Sequence, residues 1–263
     1  MLTEVRKEFK IMLLSVKYNI IKHMANPVSF VLNIILMMLN NSAFIVQWII
    51  LFSLKDSFGI YGIKEVCLLW GLSAACYGVS RIVFGGAFKI PDLIENGKLD
   101  SFLVLPKNTL LSVLSSHTEI SAIGDLLYGI IVALIFFHKP HEIALIILFI
   151  ILGSIIETAF AVILNSLAFK YIRVSDFTNS VLGMFTTFSV YPETVFNKAL
   201  RVLFYTIIPV GIATYLPLNT ILEFNIYNII IITLFTVAIV LFADISFKKG
   251  LRKYTSSNLM SSR

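Results

Sequence analysis

Between residues 143 and 169 the chain holds a single charged side chain, Glu157, in an otherwise apolar run. About 20 such residues make one bilayer crossing. Similar runs occupy 28–53, 62–84, 118–137 and 224–245, and weaker ones occupy 174–190 and 199–216. In lipid every backbone polar group must be bonded within the structure, which leaves helices or a closed barrel. The ten-residue alternating strands of a barrel are absent. The chain therefore reads as an all-α polytopic membrane protein, a single transmembrane domain over residues 1–263. Its 14% charged residues compare with roughly 25% in ordinary globular chains.

Residues 2–24 place Leu2, Val5, Phe9, Met12, Leu13, Val16 and Ile20 on one helical face, with Lys7, Lys10 and Lys22 away from it. Arg6 and Lys17 sit at its border. Such a basic amphipathic helix belongs at the headgroups of an anionic leaflet. Asn26-Pro27 ends it and starts the first span. The net charge of +6 bears on orientation, because cytoplasmic loops collect Lys and Arg; no nucleic acid is expected as a partner.

Six crossings are expected, at 28–53, 62–84, 118–137, 143–169, 174–190 and 224–245. Segment 191–217, with Tyr191, Pro192, Pro209 and Pro217, then dips in and returns on the outer side as a re-entrant piece between spans five and six. The N-terminal helix, Arg81, Lys89, Lys98, Lys107, Lys170, Arg173 and the C-terminal cations face the cytoplasm, leaving Lys55, Lys64, Lys139, Lys198 and Arg201 outside. A seventh crossing would export the C-terminal cluster. Both termini are thus expected to be cytoplasmic. Irregular backbone at membrane depth needs protein or water around it, so 191–217 marks a vestibule. The charged opening lacks the early apolar stretch expected of a cleavable leader.

No Gly-x-x-x-x-Gly-Lys-Ser/Thr phosphate loop occurs; the one Gly-Lys pair, Gly97-Lys98, runs on into Leu99. A transporter built this way draws energy from a partner chain or an ion gradient. His138, His141 and Glu142 share a proline-bearing loop without a further convergent ligand, so no metal is expected. Cys67 and Cys76 lie in one apolar run, about 13 Å apart along a helix axis, and cannot bridge. Nucleophile–histidine–acid and paired-carboxylate arrangements are also missing, so neither an enzyme site nor a cofactor is expected in this chain.

Glu157 stands out, because an unpaired charge in mid-span costs at least about 2.5 kcal/mol. It is either a pathway or gating residue, or a hydrogen-bonded packing carboxyl. Asp125, nearer the cytoplasmic end of span three, and Asn41 complete the candidate path. Asn40, Asn165, Thr186 and Thr187 are further candidates for its lining.

The longest interruption of the apolar runs is 85–107. Pro91 suits the first turn of a short helix, Asp92 and Glu95 lie near its positive end, and Gly97 stops it. Pro106 closes a second turn built on Leu99, Phe102, Leu103 and Leu105. The stretch is either an amphipathic loop on the bilayer or a docking element.

Three patterns occur in order: Ile94-x-x-Gly97-x-Leu99-Asp100-x-x-Leu103-x-x-Pro106; Tyr191-Pro192-x-x-x-Phe196 with Arg201, Ile208-Pro209 and Tyr215-x-Pro217; and Gly250-Leu251-x-x-Tyr254-x-Ser256. Together they resemble type-2 ABC transporter permeases, the small six-span group whose ATPase is a separate chain. The resemblance implies the integral membrane subunit of an ATP-driven exporter in a bacterial plasma membrane. It implies a dimer with a second copy or a related permease, and a soluble ATPase that binds ATP and Mg. It also implies that Ile90, Pro91, Asp92, Leu93, Ile94, Glu95, Gly97, Leu99 and Asp100 form the coupling element that docks on the ATPase. Leu105 departs from the pattern, which often has Arg before the proline. Two other readings stay open. One is a secondary transporter with Glu157 and Asp125 as coupling carboxylates; the other is a non-transporting scaffold or immunity factor.

Overall fold

The computed structural model describes residues 2–54, 57–171 and 173–255. The side chains of Leu2 and Val5, and residues Lys55 and Ser256, lie outside the described set.

Helix α1 (Leu2–Met24) and α2 (Pro27–Leu54) meet at the expected break. Asn26 Oδ1 accepts from Ser29 N at 3.2 Å, and Pro27 takes the first turn, where its missing N–H is no loss. The apolar side of α1 is divided in two. Met12 and Val16 are buried while Phe9 and Leu13 stay exposed, because one side of the helix rests on the chain itself. Asn19 Nδ2 donates to Ser115 O at 3.1 Å, and Asn108 N donates to Glu8 Oε1 at 3.4 Å. The exposed part is free to enter the headgroup region.

Helix α3 (Ile63–Phe84) passes through a 3-10 turn (Gly85–Lys89) into α4 (Ile90–Glu95), followed by α5 (Asp100–Leu103) and α6 (Thr109–Leu114). Then come α7 (Ala122–Phe136), α8 (Pro140–Asn165), α9 (Ser175–Ser189), α10 (Lys198–Thr206), α11 (Leu216–Leu222) and α12 (Ile226–Leu251). The described residues contain no β-strand, only an isolated bridge between Phe58 and Tyr61. Helices α3, α7 and α8 form the centre, and the small residues of α3 are used for close approach. Gly71 meets Val132, Gly78 meets Leu126 and the Ala122 carbonyl, and Gly129 of α7 lies against Gly71 and Ala75. Backbones this near each other leave no room for a Cβ. Most apolar side chains of α2 and α12 instead point outward.

Among the described residues, four helical stretches are long and apolar enough to cross a membrane: Pro27–Leu54, Ile63–Glu95, Pro140–Phe169 and Ile226–Leu251. A bent pair, Lys198–Thr206 with Gly211–Leu222, makes a fifth if taken as one span. The expected third span comes out shorter than 118–137. Helix α7 has 15 residues, about 22 Å by helical rise, against a hydrocarbon core of about 30 Å. Residues ahead of it bind the end of α3 instead of forming a further turn: Thr118 Oγ1 donates to Ile82 O at 3.0 Å, and Glu119 N donates to Arg81 O at 3.2 Å. Helix α9 is equally short, at 15 residues.

The bent pair turns by 85°. Pro209 has no N–H to continue α10, and a π-turn (Gly211–Tyr215) leads into α11. Pro192, Pro209 and Pro217 are buried and Tyr191 is half-buried, its ring 5.9 Å from that of Trp48. Tyr215 donates its hydroxyl to Phe188 O at 2.6 Å, and Tyr61 donates to Asn219 Oδ1 at 2.9 Å. Burial, with Glu193 nearby, pushes the Tyr61 hydroxyl up to about 12. The irregular backbone is thus enclosed by protein.

Candidate functional site

Three residues far apart in the sequence converge. Asn41 of α2, Asp125 of α7 and Glu157 of α8 line one cavity of about 290 Å³, which α3 and α9 also border. Asn41 joins two walls. Its Nδ2 donates to Asp125 Oδ1 at 2.7 Å and to Met37 O at 3.2 Å, while its Oδ1 accepts from Trp70 Nε1 at 3.2 Å. Asp125 is only 5% exposed, and among the described residues its other oxygen, Oδ2, is buried without a hydrogen-bond partner. Glu157, 3% exposed, accepts on Oε2 from Ser80 Oγ at 2.9 Å. Most buried polar atoms are bonded, so Oδ2 is one of a few exceptions among the described residues.

The rest of the lining mixes small and hydroxyl-bearing residues with five aromatic rings, Phe44, Trp70, Tyr77, Phe185 and Tyr191. Phe44 stacks on Trp70 with ring centroids 4.4 Å apart. Of these rings only Tyr191 stands out in the sequence, although Trp70, Ser73, Ala74 and Tyr77 follow the i, i+3, i+4, i+7 spacing of one helix face and all four line the cavity. Asn40, Thr186 and Thr187 line it too. Asn165 does not; about two turns past Glu157, at the C-terminal end of α8, it donates Nδ2 to Ala87 O at 2.8 Å. Arg81, just outside the lining, stacks 3.5 Å over the Phe88 ring and 4.8 Å over the ring of the lining residue Tyr77, and lies 3.7 Å from Glu119. Among the described residues no group of three or more His, Cys, Asp or Glu could hold a metal ion.

One edge of the cavity is formed by exposed polar residues, Asn40 of α2 and Thr187 of α9. Both belong to stripes. On α2, Asn33, Asn40 and Gln47 recur every seven residues, all exposed. On α9, Asp176, Asn179, Ser180, Gly183 and Thr187 share one exposed face at helical spacing.

The 85–107 stretch is built as the turn chemistry suggests. Pro91 sits in the first turn of α4, and Gly97 has φ +65°, the left-handed conformation glycine takes without strain. Ile90, Pro91 and Leu99 are buried inside the chain, so they position the stretch and offer no surface. Leu93, Ile94, Gly97 and Asp100 are half-buried, and Asp92 and Glu95 are exposed. The large exposed apolar side chains come later: Leu103 at 41%, Val104 at 81% and Leu105 at 40%.

Several ties hold this stretch. Gly86 lies so close to the Val113 carbonyl that a Cβ would not fit. Asn165 holds Ala87, and Ser175 Oγ donates to Glu95 Oε1 at 3.2 Å. Tyr254, just past α12, sits beside Asp100; burial and that carboxylate push its hydroxyl up to about 12. The stretch is therefore connected to α6, α8, α9 and the end of α12.

A family model described as ABC-2 family transporter protein matches residues 36–258. No curated protein and no solved structure matches the chain.

Proposed function

The chain belongs to the ABC-2 family of transporter proteins, and from that premise we propose that it is the membrane-spanning permease subunit of an ATP-driven exporter. The single observation that carries this reading is a transporter-family match over a chain whose only Gly-Lys pair runs into Leu99, leaving no phosphate loop of its own. A soluble ATPase then supplies ATP and Mg binding and docks on the 85–107 stretch. The ties from that stretch to α6, α8, α9 and α12 support a lever, because displacement at the docked surface is felt by several crossings. The docked contact has to differ between the partner's two states, or nothing is transmitted.

In this reading a single permease domain, residues 1–263, crosses a bacterial plasma membrane six times, through α2, α3, α7, α8, α9 and α12. Both termini are cytoplasmic, α1 lies on the inner leaflet, and the bent pair re-enters from the outer side. The short α7 fits at its start, where Thr118 and Glu119 bond to the end of α3. The expected outcome in proteoliposomes is that the chain raises its co-expressed ATPase's ATP turnover several-fold, and that a protonophore leaves this unchanged. Turnover indifferent to the chain would overturn the reading in favour of gradient-driven transport or a scaffold.

The polar stripes of α2 and α9 support a dimer. Exposed amides and hydroxyls are costly against lipid, and a second copy or a related permease covering them puts the translocation path beside the cavity edge. Cys67 and Cys76 are buried and give a quiet background for crosslinking. With a short bismaleimide, Asn40→Cys and Thr187→Cys are expected to give covalent dimers, whereas Leu241→Cys, on the outward face of α12, is not. Equal crosslinking at all three positions would rule out this face.

A further inference from the structure

We propose that the cavity beside Asp125 and Glu157 is a binding site for an organic cation with a compact apolar body, such as a hydrophobic amine or quaternary ammonium. Among the described residues Asp125 and Glu157 are the charged residues of its lining, and the nearest cation, Arg81, stands behind the Tyr77 ring, 4.8 Å from its centre, without lining the cavity itself. Both are more than nine-tenths buried, and Asp125 keeps one oxygen without a partner. A buried carboxylate with a free oxygen favours a positive guest, as a proton or as a ligand.

The aromatic wall decides what kind of cation. Trp70 and Phe44 stack and Phe185 adds a further ring, while Tyr77 already has the Arg81 guanidinium over one face. Such faces attract a diffuse organic cation and shelter its hydrocarbon part. The cavity, about 290 Å³, lies at the low end of the range for small-molecule sites, so it suits a ligand of one ring or a short branched chain. Its polar edge at Asn40 and Thr187 adjoins the face assigned above to the second permease. That the bound cation is cargo rests on the permease reading; the site itself rests on this chain alone.

The test uses the full chain purified in detergent and two probes of nearly equal shape, benzyltrimethylammonium and its neutral isostere neopentylbenzene, with binding corrected for partition into detergent. The cation is expected to bind at least tenfold more tightly than the hydrocarbon, and to change the emission of Trp70 in a Trp48→Phe background. Asp125→Asn and Glu157→Gln are each expected to weaken cation binding at least tenfold while leaving the hydrocarbon's unchanged. Equal binding of the two probes by the unaltered chain would overturn the proposal, whether or not either variant folds. So would cation binding that leaves Trp70 silent, since the ligand would then sit elsewhere. Binding as expected without any rise in the partner's ATP turnover would keep the site and remove the cargo role. Failure of the chain to stimulate the ATPase at all would instead count against the permease reading.

Discussion

Gly129→Val is expected to lower the stability of the purified chain by about 3 kcal/mol or more, near the upper end for overpacking a filled interior. A Cβ at this position would lie 2.7 Å from Ala75 Cβ and 2.9 Å from Ala75 N, with the Gly71 carbonyl closer still. These neighbours are backbone and a methyl group, so no flexible side chain can swing aside. Helix α7 has to back away from α3 along the seam. Asp125 lies one turn before Gly129 on α7, and its bond from Asn41, 2.7 Å long, ties α7 to α2. The cavity is thus expected to deform with the seam. Thermal unfolding followed by light scattering reads the first effect, and Trp70 emission reads the second. Gly183→Ala serves as the control. Among the described residues nothing lies within 4 Å of a Cβ there, and trading a mid-helix Gly for Ala normally stabilises by about 0.5–1 kcal/mol. A Gly129→Val protein that melts with the unaltered chain would show that the α3–α7 seam is not tight.

Local chemistry made much of this fold legible. Asn26-Pro27 splits α1 from α2, Pro91 opens α4, and Gly97 turns the chain after it, each for a backbone reason visible in the residue itself. Gly71 and Gly78 are likewise small residues of the kind that let helices approach closely. What hydropathy could not show was where tertiary bonds replace helical ones. Thr118 and Glu119 look like the start of a span, yet they bind the carbonyls of Ile82 and Arg81, and α7 begins later.

The candidate site divides in the same way. Asn41, Asp125 and Glu157 stood out because polar groups are expensive in membrane spans. Their convergence depends on how α2, α7 and α8 pack, which no local pattern carries. The rings at Phe44, Trp70 and Phe185 were hidden for the opposite reason, since aromatic residues in an apolar run are ordinary packing residues until a cavity opens beside them. Leu99 shows the limit of reading amphipathic turns: it looked like a docking contact, and the fold uses it as interior.

The largest functional effect is expected from Val104→Glu, which should abolish co-purification of the chain with its ATPase. Val104 is 81% exposed, between the partly exposed Leu103 and Leu105. An apolar tip of this kind on a loop between helices is what a partner's groove would cover, and losing a hot-spot contact of an interface costs about 2 kcal/mol or more. A buried, unpaired carboxylate adds to that, so affinity is expected to fall at least ~30-fold. The chain's own stability should be nearly unaffected, because exposed substitutions usually fall within about 0.5 kcal/mol. Leu99→Asp makes the contrast. Leu99 is 0% exposed, so that change places a charge inside the chain and is expected to lower the yield of folded protein before any partner is met. Loss of the ATPase with Val104→Glu at full yield, and loss of folded protein with Leu99→Asp, would separate the surface of the stretch from its support. Co-purification of Val104→Glu at the unaltered level would move the contact off this tip. The remaining exposed part of the stretch, around Asp92 and Glu95, would then be the place to seek it.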